Sequence, residues 1–201
     1  MDGFEKRRDE KKKAVLQAAF ALFDQYGFDR VTVTDIAEKA HVSKVSIYNF
    51  FESKDNLRRI IMKNLFDEAI AQKAAFIEAE RPFIEKIGGF IQLQTQYYGR
   101  HSLPFFFEAI ESDPVIRQYF DEYSGASRKL VCRFIDAGKK AGAIPAGISD
   151  LAIEIYVDIF ESYFLQNKNN LGIILERNPE LAQEINMLFL DGLIQNSNVK
   201  G

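Results

Sequence analysis

One short stretch of the chain, residues 31–57, constrains the fold more than any other because it holds three helix-start signals within 27 residues. Each signal is a side-chain hydroxyl placed where it can accept a hydrogen bond from the free amides of a following helix. The three are Thr32, Ser43 and Ser53. Two short helices, each with its own cap, are therefore predicted between two longer ones.

The first short helix is predicted to open at Val33, where Asp35 forms a variant of the reciprocal capping box with Thr32. It should stop at His41-Val42, and the second short helix should cover residues 44–51. The outward side chains predicted for the second helix are Lys44, Val45, Ser46, Tyr48 and Asn49. Two helices joined by a turn of three or four residues are typical of the helix-turn-helix, whose second helix enters a DNA major groove.

The remaining pattern is also helical. A first long helix is predicted from about Asp9 to Tyr26, where Gly27 ends it, and a fourth helix from Lys54 to about Ala79. Start and stop signals predict further helices near residues 83–98, 104–111, 114–123, 126–141, 150–167 and 179–195. The fold class predicted is all-α, with about nine helices, a DNA-binding domain over residues 1–55 and a larger helical bundle over residues 56–201.

These landmarks resemble the N-terminal signature of the tetracycline-repressor (TetR) family of bacterial regulators, over about 45 residues. The matching segments are Tyr26-Gly27-Phe28, Val31-Thr32-Val33, Asp35-Ile36-Ala37, Ala40-His41-Val42-Ser43, Ile47-Tyr48, Phe51 and Ser53-Lys54-Asp55-Asn56-Leu57. The resemblance implies a homodimeric one-component repressor with a DNA-binding head and a ligand-binding body. Two positions depart from the pattern: His41 stands where Gly is usual in the turn, and Val45 where a small residue is frequent.

This resemblance and the chemistry of the side chains together predict which part of the DNA each residue contacts. Lys44 is expected to donate to guanine edges, Val45 to pack on a thymine methyl, and Asn49 or Thr34 to touch a base or phosphate. The residues expected at backbone phosphates are Thr32, Ser46, Tyr48 and Lys54. The structural alternatives are a packing role for Tyr48 and a solvated side chain for Lys44.

Charge is distributed unevenly along the chain. The net charge is −3, but residues 1–63 carry +3 and the remainder carries −6. Much of the basic excess lies in a predicted flexible arm and first helical turn that can meet DNA phosphates: Lys6, Arg7, Arg8, Lys11, Lys12 and Lys13. The alternative for each is an ordinary solvated terminus.

Aromatic residues are concentrated in the body, where a pocket between helices would take a small effector. The candidate effector contacts are Tyr97, His101, Phe105, Glu108, Phe120, Tyr123, Phe134, Tyr156 and Phe160. For any single aromatic residue, core packing is the competing interpretation.

The last two helices are predicted to form the dimer interface, because the resemblance implies a four-helix bundle made from two subunits. The helix after Ser149 is also apolar nearly all round, which requires burial on more than one side. The interface residues predicted are Leu151, Ile155, Ile159, Tyr163, Leu181, Ile185, Leu188 and Gly192. The alternative is that both helices line an internal core.

Other function classes find little support. The chain has two histidines, one cysteine, no phosphate-binding glycine loop and no familiar metal-ligand spacing, so neither an enzyme, a metal site nor a cofactor is expected. Cys132 is predicted to be a small core residue. Without a signal peptide or membrane span, a cytoplasmic location is expected. The rival function is a helical binding or assembly protein that acts through a protein partner without operator recognition.

Overall fold

The computed structural model describes residues 3–83, 85–86, 103–153, 155–156, 159, 163, 174 and 177–192. Seven helices have both bounds within these residues, and no strand occurs among them. They are α1 (Gly3–Tyr26), α2 (Val33–Lys39), α3 (Lys44–Phe51), α4 (Lys54–Glu78), α5 (Leu103–Ser112), α6 (Pro114–Lys140) and α7 (Pro179–Asp191). Residues 150–153 and 155–156 are also helical. The predicted all-α fold is confirmed.

The chain divides into two compact units. The first unit contains Met1–Phe66 and Phe105–Tyr119, and the second contains Asp67–Pro104 and Phe120–Gly201. The segment 105–119 therefore belongs to the same unit as α1, α2 and α3, although it is distant from them in sequence.

Local capping sets the starts of the short helices, as the hydroxyl spacing predicts. Thr32 and Asp35 form the reciprocal box at the start of α2, and Ser43 accepts a hydrogen bond from the Ser46 N–H at the start of α3. At the start of α4, the Asn56 N–H donates to Ser53 Oγ at 3.0 Å. All three predicted caps are confirmed.

Two other helix predictions are wrong. The first concerns α1, which begins at Gly3 rather than near Asp9, because its charged residues are good helix formers and the Arg7 Nε donates to the Gly3 carbonyl. The second concerns the break predicted between residues 123 and 126, where α6 is continuous from Pro114 to Lys140. Gly125 costs a helix only about 1 kcal/mol, which the packing of a 27-residue helix overcomes.

The core of the first unit is built from all four N-terminal helices. Its largest fully buried side chains are Val15, Phe23, Ile36, Ile47, Leu57, Met62 and Ile116. Aromatic residues of α5 complete it: the Phe105 ring lies 6.2 Å from that of Phe23, and the Phe106 ring lies 6.4 Å from that of Phe66. Short helices such as α2 and α3 cannot stay ordered alone, so this shared core holds them in place.

A polar cluster joins α4 to the start of α6 within the first unit. Asp113, only 3% exposed, accepts hydrogen bonds from Arg59 Nε at 2.8 Å and from the Val115 N–H at 2.9 Å. The neighbouring Arg58 is also buried, and its guanidinium lies 3.8 Å from the centroid of the Phe28 ring. Arg58 donates to Ser112 Oγ at 3.2 Å. The cluster therefore fixes the α5–α6 corner against the first turns of α4.

The second unit has its own apolar cluster. Its buried members are Ile77, Leu130, Val131, Phe134, Ile135, Ile144 and Ile153. Beside them Lys73, which is buried, donates from Nζ to Ser127 Oγ at 2.7 Å. Within the described ranges, no helix has the length and apolar character needed to cross a membrane.

Candidate nucleic-acid interface

The turn between α2 and α3 ends α2 in a Schellman motif. The Val42 N–H donates to the Ala37 carbonyl at 3.0 Å, and the His41 N–H donates to the Glu38 carbonyl at 3.2 Å. His41 has a φ of +53°, the left-handed conformation that this motif needs. The replacement of the usual glycine by His41 is therefore accommodated without a change of motif, since His tolerates this region better than most residues.

The outer face of α3 presents large apolar groups to solvent. Val45 is 67% exposed and Tyr48 is 51% exposed, whereas Ile47 and Phe51 on the opposite face are buried. Lys44 and Asn49 are exposed beside them. About half of the Tyr48 surface therefore remains open to solvent. An eight-residue helix that exposes Val, Tyr, Lys and Asn together has the contact groups needed at base edges and phosphates.

Thr34 and Lys44 bring α2 and α3 together on this face. The Lys44 Nζ donates to Thr34 Oγ1 at 3.2 Å, across ten residues of sequence. The sequence pattern predicts a separate DNA contact for each residue but not the hydrogen bond between them. Only the relative placement of two helices can establish such a contact.

Thr32 and Ser46 have hydroxyls that already serve the helix starts. The Thr32 hydroxyl donates to Asp35 Oδ2 at 2.7 Å and accepts from the Asp35 N–H at 3.2 Å. The hydrogen bonds from the Thr32 side chain and backbone hold the pKa of Asp35 below its usual value. Ser46 Oγ lies 2.9 Å from Ser43 Oγ. These hydroxyls therefore stabilise the first turns of α2 and α3, with Thr32 exposed and Ser46 half-buried.

Lys54 has a structural task that the sequence does not indicate. Its Nζ donates to the carbonyls of Phe28 and Val31, each at 2.9 Å, and lies 4.1 Å from the centroid of the Phe28 ring. An ammonium group has three donors, so two are committed to the protein itself. A phosphate contact by Lys54 therefore has to compete with these interactions.

The basic N-terminal residues are helical rather than a flexible arm. They form the first turns of α1, and all except Lys12 are exposed. The Lys12 Nζ lies 5.8 Å from the centroid of the Phe50 ring, which belongs to α3. Lys12 therefore places a cation of α1 beside α3, the helix that exposes Val45 and Tyr48.

The predicted effector residues that the structure describes are divided between the two units. Phe105 is a core residue of the first unit, packed against Phe23, and Glu108 lies 3.8 Å from Arg58 in that same unit. In the second unit, the rings of Phe120 and Tyr123 are 6.2 Å apart and half-buried, and the Phe134 ring lies 4.8 Å from Phe83 in the core. Burial raises the pKa of the half-buried Tyr156. The predictions for Tyr97, His101 and Phe160 fall outside the described residues.

The predicted dimer residues divide into an exposed set and a half-buried set. The exposed apolar side chains are Leu151, Ile155, Ile159, Tyr163 and Leu188, at 52–69% exposure. Leu181 and Ile185 are half-buried. Gly192 faces its own chain, because a Cβ there would lie 2.6 Å from Tyr156 Oη. Its small size therefore serves an intramolecular approach.

Comparison with known proteins bears on the residues that form this interface. The family model for bacterial regulatory proteins of the tetR family matches residues 15–59, which include α2, the turn and α3. Over residues 15–59 the chain is therefore similar to TetR-family regulators. The chain is also similar to the HTH-type transcriptional regulator RutR of Escherichia coli (strain K12), at 32% identity over 124 residues. That match covers 60% of this chain and 57% of RutR, so the chain spans little more than half the length of this relative.

Solved structures share the fold of nearly the whole chain. A transcriptional regulator from Saccharomonospora viridis in complex with choline has a TM-score of 0.72 at 15% identity, covering 94% of this chain and all of the other. FadR from Bacillus subtilis in complex with stearoyl-CoA has a TM-score of 0.65 at 16% identity, covering 90% and 98%. At these identities the likeness concerns the fold.

Proposed function

We propose that this protein is a transcriptional repressor that binds a palindromic DNA operator as a homodimer and leaves it when a small molecule binds. The observation that carries the proposal is the outer face of α3, where Lys44, Val45, Tyr48 and Asn49 are exposed together on a doubly capped helix pair. Residues 1–55 would supply DNA binding, and residues 56–201 effector binding and dimerisation. The protein would act in the cytoplasm, where it meets chromosomal DNA, and we assign it no catalytic role.

The residues of the face fit the chemistry of a major groove. An ammonium such as that of Lys44 can donate to guanine O6 and N7, and the branched methyls of Val45 suit a thymine methyl. Tyr48 and Ser46 would reach backbone phosphates, and Asn49 a base or a phosphate. The exposed cations of α1 would add contacts that carry no sequence information but strengthen binding at low salt.

Dimerisation is supported by an exposed apolar stripe in the second unit. Leu151, Ile155, Ile159 and Tyr163 recur every four residues and are each more than half exposed. Contiguous apolar surface of this kind marks an interaction site in a monomer. A second copy of the chain is the partner that fits, because a two-fold protein matches a palindromic operator.

Induction by a small molecule is supported by the fold likeness. The choline and stearoyl-CoA complexes are of proteins with this fold. For this chain we propose that the effector site lies in the second unit, near Phe120, Tyr123 and Tyr156. Binding would tilt α4 and alter the separation of the two reading helices. The effector must favour one arrangement, since equal affinity for both would shift nothing.

Selection of bound sequences from random DNA, followed by titration of the recovered operator, tests the proposal. We expect a palindrome, and we expect Lys44→Ala and Tyr48→Ala each to weaken operator binding at least about tenfold while leaving the oligomeric state unchanged. Tyr26→Ala is the matched control for Tyr48, since Tyr26 is also 51% exposed. Lys129→Ala, on α6, is the control for Lys44.

Two results would count against the repressor. Wild-type affinity in both variants would remove α3 from the interface. Weak binding without sequence preference would instead favour a protein that acts through a protein partner.

A further inference from the structure

We propose that Thr34 is a positioning residue for base recognition, which orients the Lys44 ammonium so that it reads a guanine. This inference rests on the proposed DNA-binding function and deepens it. The observation behind it is the hydrogen bond from Lys44 Nζ to Thr34 Oγ1, 3.2 Å long, between the second residue of α2 and the first residue of α3.

Both ends of this hydrogen bond belong to fixed positions. The reciprocal box of Thr32 and Asp35 sets the backbone of α2 immediately before Thr34. Ser43 caps α3 immediately before Lys44. The Thr34 side chain is itself stiff, because branching at Cβ restricts its χ1 angle. Thr34 Oγ1 is therefore a preformed acceptor rather than one that moves with its partner.

Lys44, in contrast, would be mobile without that acceptor. A lysine side chain has four rotatable bonds, so it loses much rotamer entropy when its ammonium is fixed on binding. A freely moving ammonium behaves as a point charge that binds any nearby phosphate. Tethering Lys44 to α2 restricts this freedom before DNA arrives, which favours directional contact.

The donors left on Lys44 match guanine better than any other base. One of its three N–H donors is used by Thr34, and two remain. In the major groove guanine offers two adjacent acceptors, O6 and N7, whereas thymine offers one acceptor, O4, beside its methyl group; adenine places an amino donor beside its N7, and cytosine presents an amino donor. An oriented ammonium is therefore complementary to guanine and meets a like donor on adenine or cytosine.

The position of Lys44 has a small cost for folding. It is the first residue of α3, where the helix dipole disfavours a cation. Its hydrogen bond to Thr34 is exposed to water and contributes little to stability. A residue that does not suit its helix end, with a bond of little structural value, is better explained by recognition than by folding.

The test compares DNA selections for the wild type, Thr34→Val, Thr34→Ser and Lys44→Met. Lys44→Met identifies the half-site position that Lys44 reads, as the position where guanine preference is lost. We expect Thr34→Val, which keeps the side-chain shape but removes the hydroxyl, to reduce guanine preference at that same position about 3- to 10-fold. Thr34→Ser should restore it, and the double variant Thr34→Val with Lys44→Met should lose no more than Lys44→Met alone.

Three outcomes would overturn the inference. Thr34→Val with undiminished guanine preference would show that the hydroxyl orients nothing. If Thr34→Val weakened binding equally on all DNA sequences and left the guanine preference at the Lys44 position unchanged, Thr34 would be a phosphate contact. Failure of Thr34→Ser to restore preference would point to packing. Each variant is checked by circular dichroism and thermal melting, where no change is expected. A wild type that selects no palindrome would instead refute the DNA-binding function on which the inference rests.

Discussion

Glu52, at the end of α3, has a backbone conformation that L-residues rarely adopt. Its φ and ψ are +65° and −44°, and the Ser53 N–H donates to the Phe51 carbonyl at 2.7 Å across it. These features define a γ-turn with positive φ, which is uncommon and strained. Such strain costs about 1–3 kcal/mol and persists where surrounding structure imposes it. Here the buried Phe51 and Leu57 on either side impose it.

Replacing Glu52 with glycine should stabilise the protein. Glu52→Gly removes the Cβ that makes positive φ unfavourable, and the gain exceeds the added entropy of the unfolded chain. We expect a net gain of about 1 kcal/mol in the free energy of unfolding, measured by urea denaturation. Glu52→Ala is the control, because it removes the carboxylate but keeps the Cβ. Equal stability of the two variants would show that the turn is not strained.

At the scale of the element, the sequence predicts those features that depend on near neighbours. The caps at Thr32, Ser43 and Ser53 involve residues within three positions of each other, so their spacing alone is enough to predict them. The continuity of α6 through Gly125 was missed, since packing rather than local preference decides whether a helix continues through one glycine. The hydrogen bonds from Lys54 to the Phe28 carbonyl and from Lys44 to Thr34 were not predicted either, because tertiary packing brings these residues together.

Asp113 provides a second test at this scale, because it caps α6 and pairs with α4. Burial by itself raises the pKa of Asp113, but the hydrogen bonds from Arg59 and the Val115 N–H outweigh it and hold the pKa below 3.8. Its ionised form therefore stabilises the fold fully above about pH 4 and loses this effect as the pH falls through the lowered value.

The variant Asp113→Asn keeps the shape and capping ability of Asp113 but removes its charge. We expect a loss of about 2–3 kcal/mol in the free energy of unfolding at pH 7, because Arg59 loses its charged partner and Arg58 a nearby carboxylate. The difference from the wild type should narrow below pH 4, as measured by urea denaturation at pH 7 and pH 3. The control is Asp55→Asn, whose carboxylate is 60% exposed and lies 4.0 Å from Arg58, with an expected loss below about 1 kcal/mol. A pH-independent difference for Asp113→Asn would contradict the charge argument.

At the scale of the whole molecule, an amphipathic sequence pattern predicts which face of a helix is apolar, but it does not predict what that face packs against. The sequence pattern selects Leu151, Ile155, Ile159 and Tyr163 as a stripe, and each is exposed in the single chain. It also includes Phe105 among effector contacts, although tertiary packing places that ring beside Phe23. Contacts between residues so far apart in sequence leave no local signal.

A charge in the middle of the exposed stripe should prevent dimerisation. We expect Ile155→Glu to weaken the dimer at least about tenfold, because an unpaired carboxylate would have to be buried between two apolar faces. Light scattering coupled to gel filtration measures the mass in solution. Tyr26→Glu is the matched control, since Tyr26 on α1 is an apolar side chain of nearly the same exposure, 51% against 52% for Ile155, and lies outside the stripe. An unchanged dimer in Ile155→Glu would place the interface elsewhere.

The membership of residues 105–119 in the first unit has a practical consequence for chimaeric regulators. If only the N-terminal 55 residues were transplanted, Phe23 would lose the Phe105 ring of α5 that packs against it in the core. Phe28 would also lose the guanidinium of Arg58 that lies over its ring. Exchanging DNA specificity between such proteins therefore means grafting two stretches of chain together, or redesigning the residues at which they meet.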